Sequence, residues 1–166
     1  GRHILQEYTV DPLDLLQAGQ IMTKTAATLP GTMSVDAAVS FFAGEAVHRS
    51  YPVIDAEGRL LGLVSRTDAL KWQSDRQGDQ TPLSDAVSDA MQPVAYPDTP
   101  SGVVADLIIE SGIGRIPIIE PGTRRVLGIL SRHDLLKTRS ANRLAEFGRA
   151  RYVGRRTADD GHTNFA

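Results

Sequence analysis

Two four-residue runs hold the side chains best suited to chemistry, Ser65-Arg66-Thr67-Asp68 and Ser131-Arg132-His133-Asp134. Each follows a short apolar stretch and opens a helical pattern, so each stands where a strand hands over to a helix. Unpaired amide N–H groups and the positive end of a helix dipole meet at such a junction and favour a phosphate. Ser65 and Thr67 add hydroxyl donors. A carboxylate in the first helical turn, Asp68 or Asp134, can accept from both hydroxyls of a ribose. The same residues also suit a simpler role, in which the Asp caps the helix and Ser65 or Ser131 satisfies backbone groups.

Other chemistries fit poorly. Ser131, His133 and Asp134 are of triad types, but residues this close around one helix start point in diverging directions, so no nucleophile–base–orienter relay forms. The first run has Thr67 where the second has His133. His3, His48, His133 and His162 are scattered, with no HxxxH or HExxH spacing, so no metal site is expected. A phosphate-binding G-x-x-x-x-G-K-S/T run is absent, and Gly112-Ile113-Gly114 precedes a strand and reads as a turn. With no cysteine in the chain, disulfides, thiol catalysis and Cys-based metal sites are excluded. No catalytic constellation emerges, and the chain does not read as an enzyme.

The elements that position these runs are duplicated. Tyr51-Pro52-Val53-Ile54-Asp55 returns as Ile116-Pro117-Ile118-Ile119-Glu120, and Leu61–Lys71 returns as Leu127–Lys137 with the Gly, Ser, Arg, Asp and Lys identical. Ile21-Met22 matches Ala90-Met91 further upstream. In each copy a helix is expected first, capped by Thr32 or Ser34 and then by Thr99 or Ser101, with Val35, Ala38, Val39 and Phe42, or Val104, Leu107 and Ile108, on its apolar face. A β-branched strand follows, Val53–Ile54 or Ile118–Ile119, then a turn at Asp55–Gly58 or Glu120–Thr123. The next strand, Leu60–Val64 or Val126–Leu130, is apolar throughout and is expected to be buried on both faces. One such unit has too little core to stand alone, so two half-sized units are expected to share one core.

The chain's 166 residues, 41% hydrophobic and 23% charged, suffice for that arrangement. A net charge of −2 gives no global attraction to nucleic acid. Apolar stretches such as Ala37–Gly44 and Leu60–Val64 are too short to span a bilayer. The chain begins at Gly1 without a signal peptide, and reads as a regulatory piece removed from a longer host. Charge is unevenly placed: Lys137, Arg139, Arg143, Arg149, Arg151, Arg155 and Arg156 face only Glu146, a net +6. That tail reads as a basic helical extension followed by disorder, either a solvated face or a contact for anionic partners. Asp11 and Pro12 predict a short capped helix in the lead segment from Tyr8 to Leu16.

These features resemble the cystathionine-beta-synthase (CBS) domain, a regulatory module that occurs in tandem pairs called Bateman modules. The likeness rests on Met22 and Met91, on the Pro52–Asp55 and Pro117–Glu120 strands, and on the runs Gly62–Asp68 and Gly128–Asp134. It implies an α/β (α+β) fold of two pseudo-symmetric β-α-β-β-α units packed sheet to sheet. The corresponding divisions are a lead at 1–17, units at 18–76 and 77–138, and an extension with tail at 139–166.

The resemblance further implies two clefts between the units, where adenosine-containing ligands bind in many members. Asp68 and Asp134 look like the sugar anchors, flanked by Ser65 and Thr67 in one cleft and by Ser131 and His133 in the other. An Arg or His just before the Pro strand often reaches the phosphate. That zone supplies His48, Arg49 and Ser50 in copy one and Gly114-Arg115 in copy two, which makes Arg49 and Arg115 the candidates. Each cleft borrows the first strand of the other unit, so Val94 and Ala95 should line the Asp68 cleft and Ala26 and Ala27 the Asp134 cleft. Because His133 replaces Thr67 and Arg115 aligns with Ser50, the clefts should not be equivalent.

What the family implies for function is a cytoplasmic sensing domain, without a required cofactor, whose regulatory ligand is AMP, ADP, ATP or S-adenosylmethionine. Such a pair forms homodimers and modulates an attached transmembrane or enzyme domain. A lead of this kind before the first Met resembles the arrangement in bacterial chloride channels and antiporters, at the cytosolic face of the membrane. Magnesium transporters and nucleotide-biosynthetic dehydrogenases are other hosts. The alternative is a structural dimerisation module with empty clefts.

Overall fold

The computed structural model describes residues 11–87 and 92–141. Met91, the lead before Asp11 and the tail beyond Ala141 lie outside the described residues. The chain enters through a single turn, α1 (Pro12–Leu15), in which the Asp11 side chain accepts the Leu13 N–H at 3.0 Å and Pro12 takes the first helical position. A second turn, α2 (Ala18–Ile21), follows. The first repeat then comprises β1 (Leu29–Pro30), α3 (Val35–Gly44), β2 (Ser50–Ile54), β3 (Leu60–Ser65) and α4 (Arg66–Asp75). The second comprises α5 (Leu83–Ala86), α6 (Ser101–Ser111), β4 (Arg115–Ile119), β5 (Val126–Ser131) and a helix over residues 132–141, α7.

The α+β repeat expected from sequence is present in both halves. In the first, β1 runs parallel to β2 and β2 antiparallel to β3, with Ser50 opposite Ser65. In the second, β4 and β5 are antiparallel with Arg115 opposite Ser131, and a single parallel bridge from Ala95 to Ile118 takes the place of β1. The hairpin ends of the two units meet: Leu60 N–H donates to the Arg124 carbonyl and Val126 N–H to the Gly58 carbonyl, both at 2.9 Å. The reciprocal pattern is what pseudo-twofold symmetry requires.

Three local expectations are corrected. Residues along β3 alternate between buried and half-buried, with Leu60, Gly62 and Val64 inside, so the strand is fully covered on one face only. Ser34 caps α3, its Oγ accepting the Ala37 N–H at 3.0 Å, but neither Thr99 nor Ser101 caps α6. Thr99 Oγ1 accepts the Tyr96 N–H instead, and the Ser101 N–H donates to the Leu16 carbonyl at 2.9 Å. The lead segment thereby does part of the work of a cap.

Third, the core is two clusters, not the single shared core expected. Leu29, Val35, Ala38, Phe42, Tyr51, Val53, Val64, Ala69, Trp72 and Leu83 form the first. Leu13, Ala18, Ala95, Val104, Ile108, Ile116, Ile118, Leu130 and Leu135 form the second. The membership is crossed, because the turn preceding each unit packs on the other. Leu83 of α5 belongs to the first cluster, and its N–H donates to the Met33 carbonyl at 2.7 Å. Leu13 and Ala18 belong to the second, with Ala18 and Gly19 donating to the Thr99 and Pro97 carbonyls at 2.7 and 2.9 Å. Exchange of these segments gives each small unit apolar surface it cannot supply itself, and ties the pair together.

Candidate functional site

Both Ser-Arg-x-Asp runs fold locally into the same device. Ser65 Oγ accepts the Asp68 N–H at 3.1 Å while the Asp68 carboxylate accepts the Ser65 N–H at 2.9 Å. Ser131 and Asp134 repeat this reciprocal pair at 3.0 Å in both directions. These are capping boxes, with Asp in the place more often taken by Glu or Gln. The carboxylates are therefore held in fixed positions at the helix starts, and one oxygen of each is committed to the backbone.

Around Asp134 the chain builds a cleft of about 490 Å3, within the range usual for small-molecule sites. One wall is the α7 start with Ser131, Arg132, His133 and Asp134; another is Gly114 and Arg115 at the entry to β4. Thr23, Thr25, Ala26 and Ala27 come from the segment after α2, and His48 comes from the loop before β2. The β4–β5 register puts Arg115 opposite Ser131, which is why it lines the same cleft as the capping box. Thr23 arrives by long-range pairing: its N–H donates to the Ile129 carbonyl at 2.8 Å and its carbonyl accepts the Ile129 N–H at 3.0 Å. Its hydroxyl then lies 3.4 and 3.3 Å from the two Asp134 carboxylate oxygens. Thr23 and Asp134 also line an adjoining cavity of about 610 Å3 with Leu16, Ile21 and Lys137.

The electrostatics of this cleft centre on Arg115. Its Nη1 lies 3.3 Å from His48 Nδ1, an inter-unit contact between residues 67 positions apart. Its Nε is buried and has no hydrogen-bond partner among the described residues. A buried donor left without an acceptor costs about 1–3 kcal/mol, so the cleft carries an unmet demand for an acceptor. Burial pulls the Arg115 guanidinium below its ordinary pKa, opposed by Tyr51 and Asp134. Burial, and then the Arg115 charge, likewise hold the His48 imidazole below its usual value. Tyr51 fixes the His48 loop, its hydroxyl accepting the Val47 N–H at 2.9 Å and the His48 N–H at 3.2 Å. The Tyr51 ring is itself held edge-on against Phe41 and Phe42.

The structure thus brings Ala26, Ala27, Arg115, Ser131, His133 and Asp134 into one cleft. Ser65, Thr67, Asp68, Arg49, Val94 and Ala95 are not part of it. Thr67 and Arg49 are exposed, Val94 is half-buried, and Ala95 is buried in the second core cluster through its bridge to Ile118. The strand position that Ala95 occupies is the counterpart of core residue Leu29. Sequence reasoning passed over Thr23 and Thr25, and chose Arg49 where its neighbour His48 enters a cleft. The usable signal was His48 in the zone before the Pro strand; nothing in the sequence tells that it serves the other unit's helix. Among the described residues no three His, Asp or Glu side chains gather as a metal site. No described helix is long and apolar enough to cross a membrane.

Comparison with known proteins agrees with this architecture. The model of the CBS domain matches residues 18–75 and again 82–141. An uncharacterized protein of Methanocaldococcus jannaschii is 25% identical over 118 residues, 71% of this chain. The chain spans about two fifths, 41%, of that relative's length. Among solved structures, CBSX2 in complex with AMP superposes with a TM-score of 0.62 at 24% identity, covering 78% of this chain and 98% of that one. A CBS domain pair in complex with 5′-methylthioadenosine and S-adenosyl-L-methionine superposes with a TM-score of 0.60 at 20% identity, covering 76% and 97%.

Proposed function

The chain belongs to the CBS domain family as a tandem pair, and on that premise we propose that it is a non-catalytic sensing module that binds an adenine nucleotide in the Asp134 cleft. The observation that carries the reading is Arg115, which lines the cleft while its buried Nε lacks an acceptor among the described residues. A phosphate oxygen would supply that acceptor, the α7 N-terminus would add amide donors, and Asp134 would accept from the ribose. The base would lie against Ala26 and Ala27. The Asp68 side has Ser50 at the position of Arg115 and Ile113 at that of His48, so it lacks the same cation pair. The Asp134 cleft is accordingly the nucleotide site in this reading, and unequal clefts are its corollary.

Occupancy would be transmitted because the cleft joins both units: His48 comes from one and Arg115 from the other. A ligand shifts an arrangement only by its differential affinity for it, and one that bridges the units meets that condition. In this reading the pair acts as a homodimer, with Leu70, Ile109 and Leu136, 62%, 78% and 57% exposed on α4, α6 and α7, facing the second copy. The host is a transporter of the chloride-channel type, tested by whether hydrophobic spans are encoded upstream of Gly1.

Thermal-shift and calorimetric titration with AMP, ADP, ATP and S-adenosylmethionine test the nucleotide reading. A ligand at 100 times its Kd adds about 2.7 kcal/mol, which for a chain of this size raises Tm by roughly 5–10 °C. Arg115→Ala removes a charge-assisted bond of about 1.5–3 kcal/mol, so AMP affinity should fall about 10- to 100-fold. No shift with any of the four at millimolar concentration would instead leave a structural dimerisation module.

A further inference from the structure

We propose that His48 is the specificity-determining residue of the Asp134 cleft, selecting a phosphate monoester and taking up one proton as that ligand binds. The inference rests on the nucleotide reading of the cleft, and adds to it a charge preference and a linked proton.

His48 and Arg115 meet across the two units. A guanidinium has only donors, so Arg115 Nη1 at 3.3 Å from His48 Nδ1 can bond only to a lone pair. The imidazole in that contact is neutral, with its hydrogen on Nε2. The cationic groups around it oppose a further positive charge there. Arg115 on β4 is cationic; the Tyr51 hydroxyl on β2 already accepts the Val47 and His48 N–H groups. Arg49 follows His48 in the chain, and Arg132 and His133 line the same cleft from the α7 start. Among the described residues Asp134 is the one carboxylate in the cleft lining, and it already accepts from Ser131 N–H and lies beside the Thr23 hydroxyl. A second positive charge on His48 therefore meets net repulsion, consistent with the lowered pKa that burial and Arg115 impose.

A phosphate monoester reverses the sign. Carrying about −1.5 to −2 charge near neutral pH, it supplies the acceptor for Arg115 and draws the guanidinium off Nδ1. The freed Nδ1 takes a proton from solvent and donates to a phosphate oxygen. His48 becomes an imidazolium, and the proton count balances as one uptake per ligand bound. An adenosine derivative whose 5′ substituent is uncharged or cationic offers no such reversal. It leaves His48 neutral against Arg115 and gains nothing from either cation. The selection thus comes from a residue of the opposite unit, so it is lost if the units separate.

Isothermal titration of the protein with AMP, in buffers of different ionisation enthalpy at pH 7.5, counts the protons directly. The expected result is an uptake approaching one, and a Kd that rises between pH 7 and 8.5 by up to about tenfold per pH unit, the limit for one linked proton. The phosphate itself stays mostly dianionic in that window. 5′-Methylthioadenosine should bind more weakly than AMP and without uptake. His48→Gln, which keeps an acceptor for Arg115, should abolish the uptake and flatten the pH dependence. A parallel NMR titration of the His48 ring in the wild-type protein should show its pKa rising when AMP is added, and does not depend on the variant folding. AMP binding without proton uptake, uptake retained in His48→Gln, or 5′-methylthioadenosine binding as tightly as AMP would each overturn the inference and leave the nucleotide site standing. Failure of AMP to bind at millimolar concentration would overturn both.

Discussion

Replacing Gly128 by alanine tests the long-range packing on which the Asp134 cleft depends. Gly128 lies on β5 opposite Ile118, with no left-handed φ, so alanine is compatible with the backbone itself. The added methyl would lie 2.7 Å from Met22 Sδ, 2.7 Å from the Thr23 carbonyl oxygen and 3.0 Å from Met22 Cγ. The Met22 side chain can swing aside, but the Thr23 oxygen is backbone and already accepts the Ile129 N–H at 3.0 Å. Relief therefore requires the Met22–Thr23 segment to lift off β5, weakening both hydrogen bonds of the bridge. Overpacking of this kind typically costs about 1–3 kcal/mol, and each weakened hydrogen bond about 0.5–1.5 kcal/mol. Losing glycine's unfolded-state entropy returns about 0.5–1 kcal/mol. The net expectation is a loss of about 1–5 kcal/mol, or a Tm lower by roughly 3–15 °C.

The matched control is Gly44→Ala at the end of α3, where nothing lies within 4 Å and φ is ordinary. It should stabilise by about 0.4–1 kcal/mol. Urea unfolding of both variants, with hydrogen exchange at the Ile129 amide, separates the effects. Gly128→Ala as stable as wild type, with Ile129 protection unchanged, would refute the close approach of the Thr23 segment to β5.

Two further substitutions test the turns. Arg124 holds φ at 65°, where the other unit has Gly58 at 81°; a side chain there costs about 1–2 kcal/mol, partly offset by glycine's unfolded-state entropy. Arg124→Gly should therefore raise the urea midpoint by about 0.5–1 kcal/mol equivalent with unchanged m, and a lowered midpoint would contradict the strain. In the linker, the Thr81 hydroxyl and amide, followed by Arg76, hold the Asp79 carboxyl at about 2 rather than 3.8. A depressed acid stabilises the fold above its unfolded pKa and loses that contribution as pH falls through its folded one. The advantage of wild type over Asp79→Asn should be full above pH 4 and vanish near pH 2; a difference independent of pH between these values would contradict it.

What was legible in the sequence was local. The capping boxes pair Ser65 with Asp68 and Ser131 with Asp134 across three residues, so composition and spacing alone dictate them, as they dictate the Asp11–Pro12 turn. The repeated strand–turn–strand pattern likewise settled the α+β units, because a β-hairpin closes within a few residues. Even here, burial depends on what covers a face, which is why the wholly apolar β3 is fully covered on one side only. The crossed membership of the two cores lay beyond reach, since α2 and α5 carry the same apolar signals whichever unit they pack against.

The candidate site divides in the same way. Sequence fixed which residues sit at the α7 start and that the two halves differ at Arg115 and His133. Only the tertiary structure decided what faces them: Thr23 reaches Asp134 across 111 positions and His48 reaches Arg115 across 67. Those contacts follow from β-pairing at Ile129 and from the aromatic seat of Tyr51, where many weak packing terms sum over distant parts of the chain. A local pattern specifies a residue's own turn of helix; its partner across a cleft is chosen by the packing of everything between.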